Sequence, residues 1–238
     1  MLCGPAPWRD LFGIDLPIVQ APMAGAQDHA LTIAVSEAGG LGALPAAALS
    51  PEALEQALTA IRAATRKPYL VNAFCHRPAP PDREREQRWR QRLAPLYREY
   101  GIDPEAIPTA PSRRPFDAGT VEVLAAFEPP ILSFHFGLPD SGLLARLKRW
   151  QPLILATATT LDEARWLEAQ GVDAIIAQGL EAGGHRGHFL QTDLSGQLPL
   201  RPLLASPVRS VRVPVIAAGG IADADGVQAI LGAGASAV

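Results

Sequence analysis

Short apolar runs alternate with longer amphipathic stretches along this chain. The runs have almost no polar interruption, as expected of parallel strands that are buried on both faces. Seven runs are complete and an eighth begins at the last residues: PIVQAPM (17–23), GLGAL (40–44), YLVNAFC (69–75), ILSFHFG (131–137), LILATAT (153–159), AIIAQGL (174–180), PVIAAGG (214–220) and ASAV (235–238). The repeated order of strand and helix predicts a parallel sheet.

The stretches between the runs carry helix signals. Ser50 and Pro51 precede ALEQALTAIRAAT, which places a hydroxyl at the N-cap and a proline where no N–H is needed. Thr160 precedes LDEARWLEAQ, in which Glu163 completes a capping box, and Gly171 then ends the helix. Because the connections are short, we predict an α/β protein of the (β/α)8 TIM-barrel class.

One connection is much longer than the others. Residues 76–130 separate the third and fourth runs and are rich in proline, arginine and acidic residues. A connection of this length needs secondary structure of its own. We predict helices over 87–100 and 120–127, which form an excursion within the barrel and not a second domain.

The barrel is expected to be incomplete. Eight strand–helix units take about 250 residues, and the chain has 238. The run at 235–238 supplies only the first residues of an eighth strand, so about seven and a half units are present. Because an open barrel leaves unpaired backbone groups at its sheet edges, we expect a longer parent protein or another element that covers the gap.

Composition and charge narrow the classes of function. The net charge is -3, with 48% hydrophobic and 19% charged residues and no block of one sign, which argues against nucleic-acid or membrane partners. The N-terminus lacks a signal-peptide pattern, and no run approaches the roughly 20 apolar residues that span a bilayer. Cys3 and Cys75 are too few for a disulfide framework. We expect a soluble cytoplasmic protein with one domain over residues 1–238, as a monomer or a homo-oligomer.

Two glycine pairs follow strands at the predicted carboxyl end of the barrel. Gly219 and Gly220 end the seventh run just before a helix, and Gly183 and Gly184 follow the sixth. A phosphate needs backbone N–H groups, close approach without a Cβ and preferably a helix N-terminus. Barrels often build such a site after their seventh strand. Simple turn chemistry explains either pair alone, but the two together favour a phosphate site.

Polar side chains on the predicted strands mark the same end. His135 lies in an otherwise apolar run, and His185 stands in the loop GGHRG. A histidine of this kind is either a hydrogen-bonded core residue or a group that exchanges protons near neutral pH. Asn72 and Gln178 are strand amides that need partners, either neighbouring backbone or the edge of a heterocycle. No histidine or carboxylate spacing indicates a metal site.

At these residues the sequence resembles the nitronate monooxygenase family. The segments that carry the resemblance are PIVQAPMAG, VNAF, SFHFG, QGLEAGGHRG and PVIAAGGIAD, in this order from residue 17 to the end. The resemblance implies FMN across the barrel mouth, with backbone of Ala21, Pro22 and Met23 beside the ring system, Asn72 and Gln178 on ring or ribityl groups, and Gly183, Gly184, Gly219 and Gly220 on the phosphate.

The same resemblance implies the reaction. Alkyl nitronates are oxidised through FMN by dioxygen to a carbonyl compound and nitrite, with the flavin supplying the redox chemistry. His135 matches the family's catalytic histidine, as proton acceptor or nitronate anchor, and His185 matches the histidine of its glycine-rich loop. By resemblance, the family continues past the position of Val238 with a phosphate-binding Gly-Thr pair and a helical region over the substrate site.

Three other functions remain open from the sequence. An FMN-dependent enoyl-acyl-carrier-protein reductase and an NAD(P)H:quinone reductase belong to the same barrel group and share the glycine segments. A catalytically silent barrel with a binding or regulatory role is the third. The histidine of the fourth run favours the nitronate monooxygenase.

Overall fold

Strands and helices alternate along the part of the chain that the computed structural model describes, which comprises residues 7–78, 80, 82–107, 114–205 and 210–238. Its strands are β1 (Gly42–Pro45), β2 (Tyr69–Phe74), β3 (Ile131–His135), β4 (Leu153–Ala158), β5 (Ala174–Gln178) and β6 (Val215–Ala218). Its α-helices are α1 (Pro7–Phe12), α2 (His29–Glu37), α3 (Pro51–Ala64), α4 (Arg83–Glu99), α5 (Ala118–Phe127), α6 (Ser141–Leu147), α7 (Leu161–Ala169), α8 (Leu200–Ala205) and α9 (Ala224–Gly232).

The six strands form one parallel sheet in chain order. Each strand pairs with the next, from β1 to β6, and every pairing is parallel. This arrangement confirms the predicted class, an incomplete TIM barrel. The strands are shorter than the apolar runs, since β3 ends at His135 and β6 at Ala218, and the remaining residues of each run turn into the loop above.

The first and eighth runs form single bridges and not full strands. Val19 is bridged to Leu41, next to β1, and Ala237 is bridged to Ile216 of β6. The two runs also meet each other, because Val19 donates to the carbonyl of Val238 and Val238 donates to that of Pro17, at 2.6 and 2.9 Å. Residues 235–238 thus join the sheet through one bridge to β6 and two backbone bonds to the first run, which agrees with the prediction that only the beginning of an eighth strand is present.

The first run leaves the sheet at Gln20, because the side-chain amide of Gln20 makes the hydrogen bonds to β1 that a backbone peptide group would make in a longer strand. The amide of Gln20 donates to the carbonyl of Ala43 and accepts from the N–H of Ala43, at 3.3 and 3.2 Å. Gln27 and Thr32 donate to the same carbonyl, at 2.7 and 3.0 Å. With the peptide groups of Ala43 occupied, the residues after Gln20 cannot extend the ladder along β1.

The barrel interior changes from apolar to polar along the strands. Side chains in a strand alternate between faces, so Leu70 and Asn72 of β2 share the inner face, as do Leu155 and Thr157 of β4. The lower layer is a buried apolar cluster that α1 and the residues after it plug from below; its buried members are Phe12, Ile14, Leu41, Ala43, Leu70, Ile131, Leu155, Ala174, Ile216 and Ala237. The layer above it is polar and forms the candidate site.

The outer helices begin and end as the sequence predicts. Ser50 caps α3 and Thr160 caps α7, each accepting a backbone N–H three residues on. Gly171 follows α7 with φ of +77°, the left-handed conformation that ends a helix. The capping box of α7 is only half formed, because the carboxylate of Glu163 turns into the core and binds other groups.

The excursion contains the two predicted helices, each with an earlier start. Asp82 caps α4 and Asp117 caps α5, and the helices begin four and two residues before the predicted positions. Helix α5 buries Val121 and Leu124, whereas α4 has no buried residue. Within the described residues, no helix is long and apolar enough to cross a membrane.

Candidate active site at the barrel mouth

The polar upper layer of the barrel begins with an amide and a hydroxyl on adjacent strands. Asn72 of β2 donates to the hydroxyl of Ser133 on β3 at 2.9 Å, and to the backbone carbonyl of Ser133 at 3.3 Å. Both side chains are buried. Asn72 is therefore fixed across two strands, as a buried amide requires, and only its oxygen is left for a further partner.

His135, at the end of β3, is held through both ring nitrogens. Nε2 lies 3.0 Å from the carbonyl oxygen of His185, and Nδ1 lies 3.0 Å from the hydroxyl of Thr157 on β4. A carbonyl only accepts, so Nε2 carries the proton, and Nδ1 of the neutral ring accepts from Thr157. Burial lowers the pKa of His135 to about 4, and the positive charge of Arg186 acts in the same direction. The ring is neutral at pH 7.

Gln178, at the end of β5, bonds the glycine-rich loop and not open space. Its Nε2 donates to the carbonyl of His185 at 2.9 Å, and its Oε1 accepts from the N–H of Gly187 at 2.8 Å. Arg186 folds back over the same loop and donates to the carbonyls of Gly179 and Leu180. The structure thus gives this amide backbone partners, one of the two possibilities that the sequence allows.

The loops that carry the two glycine pairs contact each other. A Cβ added to Gly219 would lie 2.9 Å from the backbone nitrogen of Ala182, and one added to Gly220 would lie 2.9 Å from Cβ of Glu181. Both glycines have positive φ, +130° and +66°. Side chains are therefore excluded where the loop after β6 contacts the loop after β5.

The amides at this contact are open to a ligand. A Cβ added to Gly183 or Gly184 would meet nothing within 4 Å. Among the residues that the structure describes, the N–H groups of both glycine pairs have no hydrogen-bond acceptor. Unpaired N–H groups near a helix N-terminus, here that of α9, are the kind of group that binds an anion.

Aromatic and histidine rings surround one residue with an unusual backbone. Phe136 has φ of +67°, which is rare for a bulky side chain. Its ring centroid lies 4.5 Å from that of His135, 5.2 Å from that of Phe74, and 6.0 Å from those of His76 and His185. Backbone strain of this kind costs of order 1–3 kcal/mol and is found mostly at functional sites.

The predicted rim of the first run is a solvent-exposed turn. Ala21, Pro22 and Met23 are exposed, and the carbonyl of Met23 accepts from the N–H groups of Ala26 and Gln27 in a turn. In the described structure, no hydrogen bond joins these three residues to the glycine pairs or to His135.

Sequence reasoning missed several side chains at the mouth. Phe74 and Thr157 share the inner face of their strands with Asn72 and Leu155, so strand parity would have found both. His76 has a pKa lowered by burial and by the charge of His185, and its Nδ1 is buried without a partner among the described residues. Burial also raises the pKa of the Cys75 thiol, which disfavours the reactive thiolate; Cys3 lies outside the described residues.

The fold and this mouth define an incomplete TIM barrel in which two glycine-rich loops in contact lie beside a neutral histidine. The family model described as Nitronate monooxygenase matches residues 6–238. A nitronate monooxygenase of Paraburkholderia phytofirmans is 46% identical over 95% of this chain, and one of Pseudomonas aeruginosa is 42% identical over 96%. A nitroalkane oxidase from Streptomyces ansochromogenes has a structure that superposes with a TM-score of 0.86 at 40% identity, over 96% of this chain.

The chain belongs to the nitronate monooxygenase family. It spans 62% and 65% of the two bacterial relatives and 65% of the nitroalkane oxidase chain. The match therefore covers the barrel, including every residue placed at the mouth above.

Proposed function

We propose that this chain binds FMN at the barrel mouth and serves the oxidation of alkyl nitronates by dioxygen to a carbonyl compound and nitrite. One observation carries the proposal. In a member of the nitronate monooxygenase family, the loop with Gly219 and Gly220 packs on the loop with Gly183 and Gly184, whose His185 carbonyl holds a neutral histidine, and the N–H groups of both glycine pairs are unpaired within the described residues.

The residues at the mouth fit the phosphate of FMN. Gly219 and Gly220 leave no room for a Cβ, and their N–H groups, with those of Gly183 and Gly184, have no other acceptor among the described residues. In this proposal Asn72 presents its free oxygen to the ring or ribityl part, and the exposed backbone of residues 21–23 lies beside the ring. Gln178 positions the loop that carries Gly183 and Gly184, and does so through its two backbone bonds.

Bound FMN supplies the electron transfer from the nitronate and onward to dioxygen. The chain supplies orientation and a hydrogen-bond donor. Because a nitronate is already an anion, it needs an anchor more than a base, and His135 is neutral with its proton on Nε2. We assign His135 the role of donor to a nitronate oxygen, in place of the carbonyl of His185. His185, which lies beside Phe74 and Phe136, forms the wall of the same site.

Flavin absorbance tests the cofactor. The purified protein should absorb near about 450 nm, a property of the oxidised flavin, or take up added FMN. Gly220→Ala should weaken FMN binding by about tenfold or more, because the methyl group would displace Glu181 and close the approach to the amides. Gly232→Ala is the matched control, since a Cβ at Gly232 meets nothing within 4 Å.

The substrate test separates the alternatives. Anaerobic addition of an alkyl nitronate should bleach the bound flavin, and readmitted oxygen should restore it with release of nitrite. Consumption of NAD(P)H with an enoyl thioester or a quinone, without any reaction of nitronate, would assign the chain to one of the two reductases. Protein that takes up no FMN at all would support the third alternative, a catalytically silent barrel with a binding or regulatory role.

A further inference from the structure

Glu163 is a buried carboxylate with no part in the proposed reaction. It stands in the first turn of α7, and only 2% of its surface is exposed. Oε2 accepts from the N–H and the hydroxyl of Thr159 at 2.7 and 2.8 Å. Oε1 accepts from the N–H of Phe189 at 2.7 Å and from that of Leu190 at 3.3 Å. One carboxylate therefore joins the end of β4 to the segment that follows the glycine-rich loop.

The segment that Glu163 holds is packed on the turn that carries the catalytic candidate. The ring of Phe189 lies 3.2 Å from the point that a Cβ on Gly137 would occupy, two residues after His135, and its centroid lies 5.2 Å from that of Trp166 on α7. Two residues before Phe189, Gly187 lies flat against the imidazole, because a Cβ there would come within 2.6 Å of Cε1 of His135. The position of residues 187–190 thus fixes both the ring and the loop above it.

The charge of Glu163 also acts on His135. It opposes the effect of burial and of the positive charge of Arg186 on the histidine's pKa. Glu163 is consequently connected to His135 by packing through residues 187–190 and by an electrostatic field.

We propose that Glu163 is a positioning residue for His135. It holds residues 187–190 against the end of β4 and thereby keeps the ring of His135 in place at the mouth, with Nε2–H on the carbonyl of His185 until a ligand replaces that acceptor. The proposal rests on the proposed function only for the reaction that His135 serves; the positioning itself is a property of the chain without ligand.

The direct test is the exchange of the His135 ring proton with solvent. The Nε2–H resonance is observed by proton NMR and assigned by its loss in His135→Asn. Glu163→Gln keeps the shape but turns an NH2 group toward N–H donors, leaving at least one buried donor unpaired, which costs about 1–3 kcal/mol. Ring-proton exchange should therefore be about tenfold faster or more, since local opening follows that free energy.

Asp162→Asn is the matched control. Asp162 is the neighbour of Glu163 in the same helical turn and is not buried, so this change removes the same charge without touching residues 187–190. The ring proton of His135 in Asp162→Asn should exchange at the same rate as in the wild type. Equal rates in Glu163→Gln and the wild type, or an equal acceleration in Asp162→Asn, would overturn the proposal.

A second variant covers the case in which Glu163→Gln does not fold. Thr159→Val removes one of the four donors to the carboxylate and keeps its charge. Exchange should then be accelerated by a few-fold, as expected for loss of one hydrogen bond worth about 1 kcal/mol. An unchanged rate in a folded Thr159→Val protein would contradict the proposal.

Activity provides the second readout. In flavin-loaded enzyme, Glu163→Gln should lower kcat with little change in KM, and FMN should remain bound. If the wild type oxidises no nitronate, the proposed function fails while the ring-proton result still decides the role of Glu163.

Discussion

The two ends of the barrel interior differ in the side chains that fill them, which are apolar at the lower end and polar at the upper end. Below, buried apolar side chains from α1 and the strands fill the space, and the ring of strands is closed by backbone bonds between the first run and residues 235–238. Above, the same strands present Asn72, His135, Thr157 and Gln178, and the described loops leave N–H groups unpaired. Barrels generally keep residues that serve stability at the lower end and residues that serve function at the upper end, and we expect the same division here.

The largest effect that distinguishes the two ends is expected from the replacement of His135 at the upper end. His135→Asn keeps a polar group at the mouth but places no N–H at the position of Nε2. Flavin reduction by a nitronate should slow by about 10²–10⁴-fold, the range for loss of one positioned proton donor or acceptor. Stopped-flow absorbance measures the rate, and the melting temperature with FMN present should stay close to that of the wild type. Unchanged reduction kinetics would remove His135 from the reaction.

A substitution at the lower end should have the opposite effect, lowering the stability of the protein and leaving its reaction rate unchanged. Leu155 is fully buried in the apolar layer, two residues before Thr157 on the same face. Leu155→Ala should lower the free energy of unfolding by about 2–5 kcal/mol, through lost burial and a cavity. Denaturant unfolding measures this loss. Flavin-reduction kinetics of the protein that stays folded should be unchanged, and a rate loss as large as that of His135→Asn would show that the two layers are coupled.

A smaller effect is expected in the pH dependence of stability, to which His135 at the upper end contributes. His135 has a folded-state pKa of about 4 because burial disfavours its cation, against about 6.5 in an unfolded chain. Between these values the unfolded state binds more protons, so stability is complete above pH 6.5 and is lost as the pH falls toward 4. The histidine's share of that loss is about 3 kcal/mol.

Chemical unfolding at several pH values tests this dependence. His135→Asn should show a flatter profile between pH 6.5 and 4 than the wild type. Parallel profiles in the two proteins would mean that other groups cause the acid sensitivity.

Much of the fold could be predicted from the sequence because parallel buried strands and capped helices have strong local signals. The apolar runs found the strands, and Ser50, Thr160 and Gly171 marked helix ends correctly. The early departure of the first run could not be predicted, since it depends on the amide of Gln20 replacing backbone at Ala43, more than twenty residues away.

The candidate site could be predicted from the sequence only in part. The glycine pairs and His135 stand out because glycine doublets and a histidine in an apolar run are unusual in sequence. Glu163 was interpreted as half of a capping box, an assignment that local spacing favours, whereas its partners Phe189 and Leu190 are reached only through the folded loop. The roles proposed for the site residues stay predictions until flavin binding is measured.

The bonds between Val19 and Val238 also govern when the ring can form. Residues 17–19 leave the ribosome more than 200 residues before their partners exist. At about 5–20 residues per second, they wait roughly ten seconds or longer with an unsatisfied strand edge. Pairing across so long a stretch of chain is also intrinsically slow. The first run thus completes its strand pairing later than β1 to β6, whose partners are much nearer in sequence.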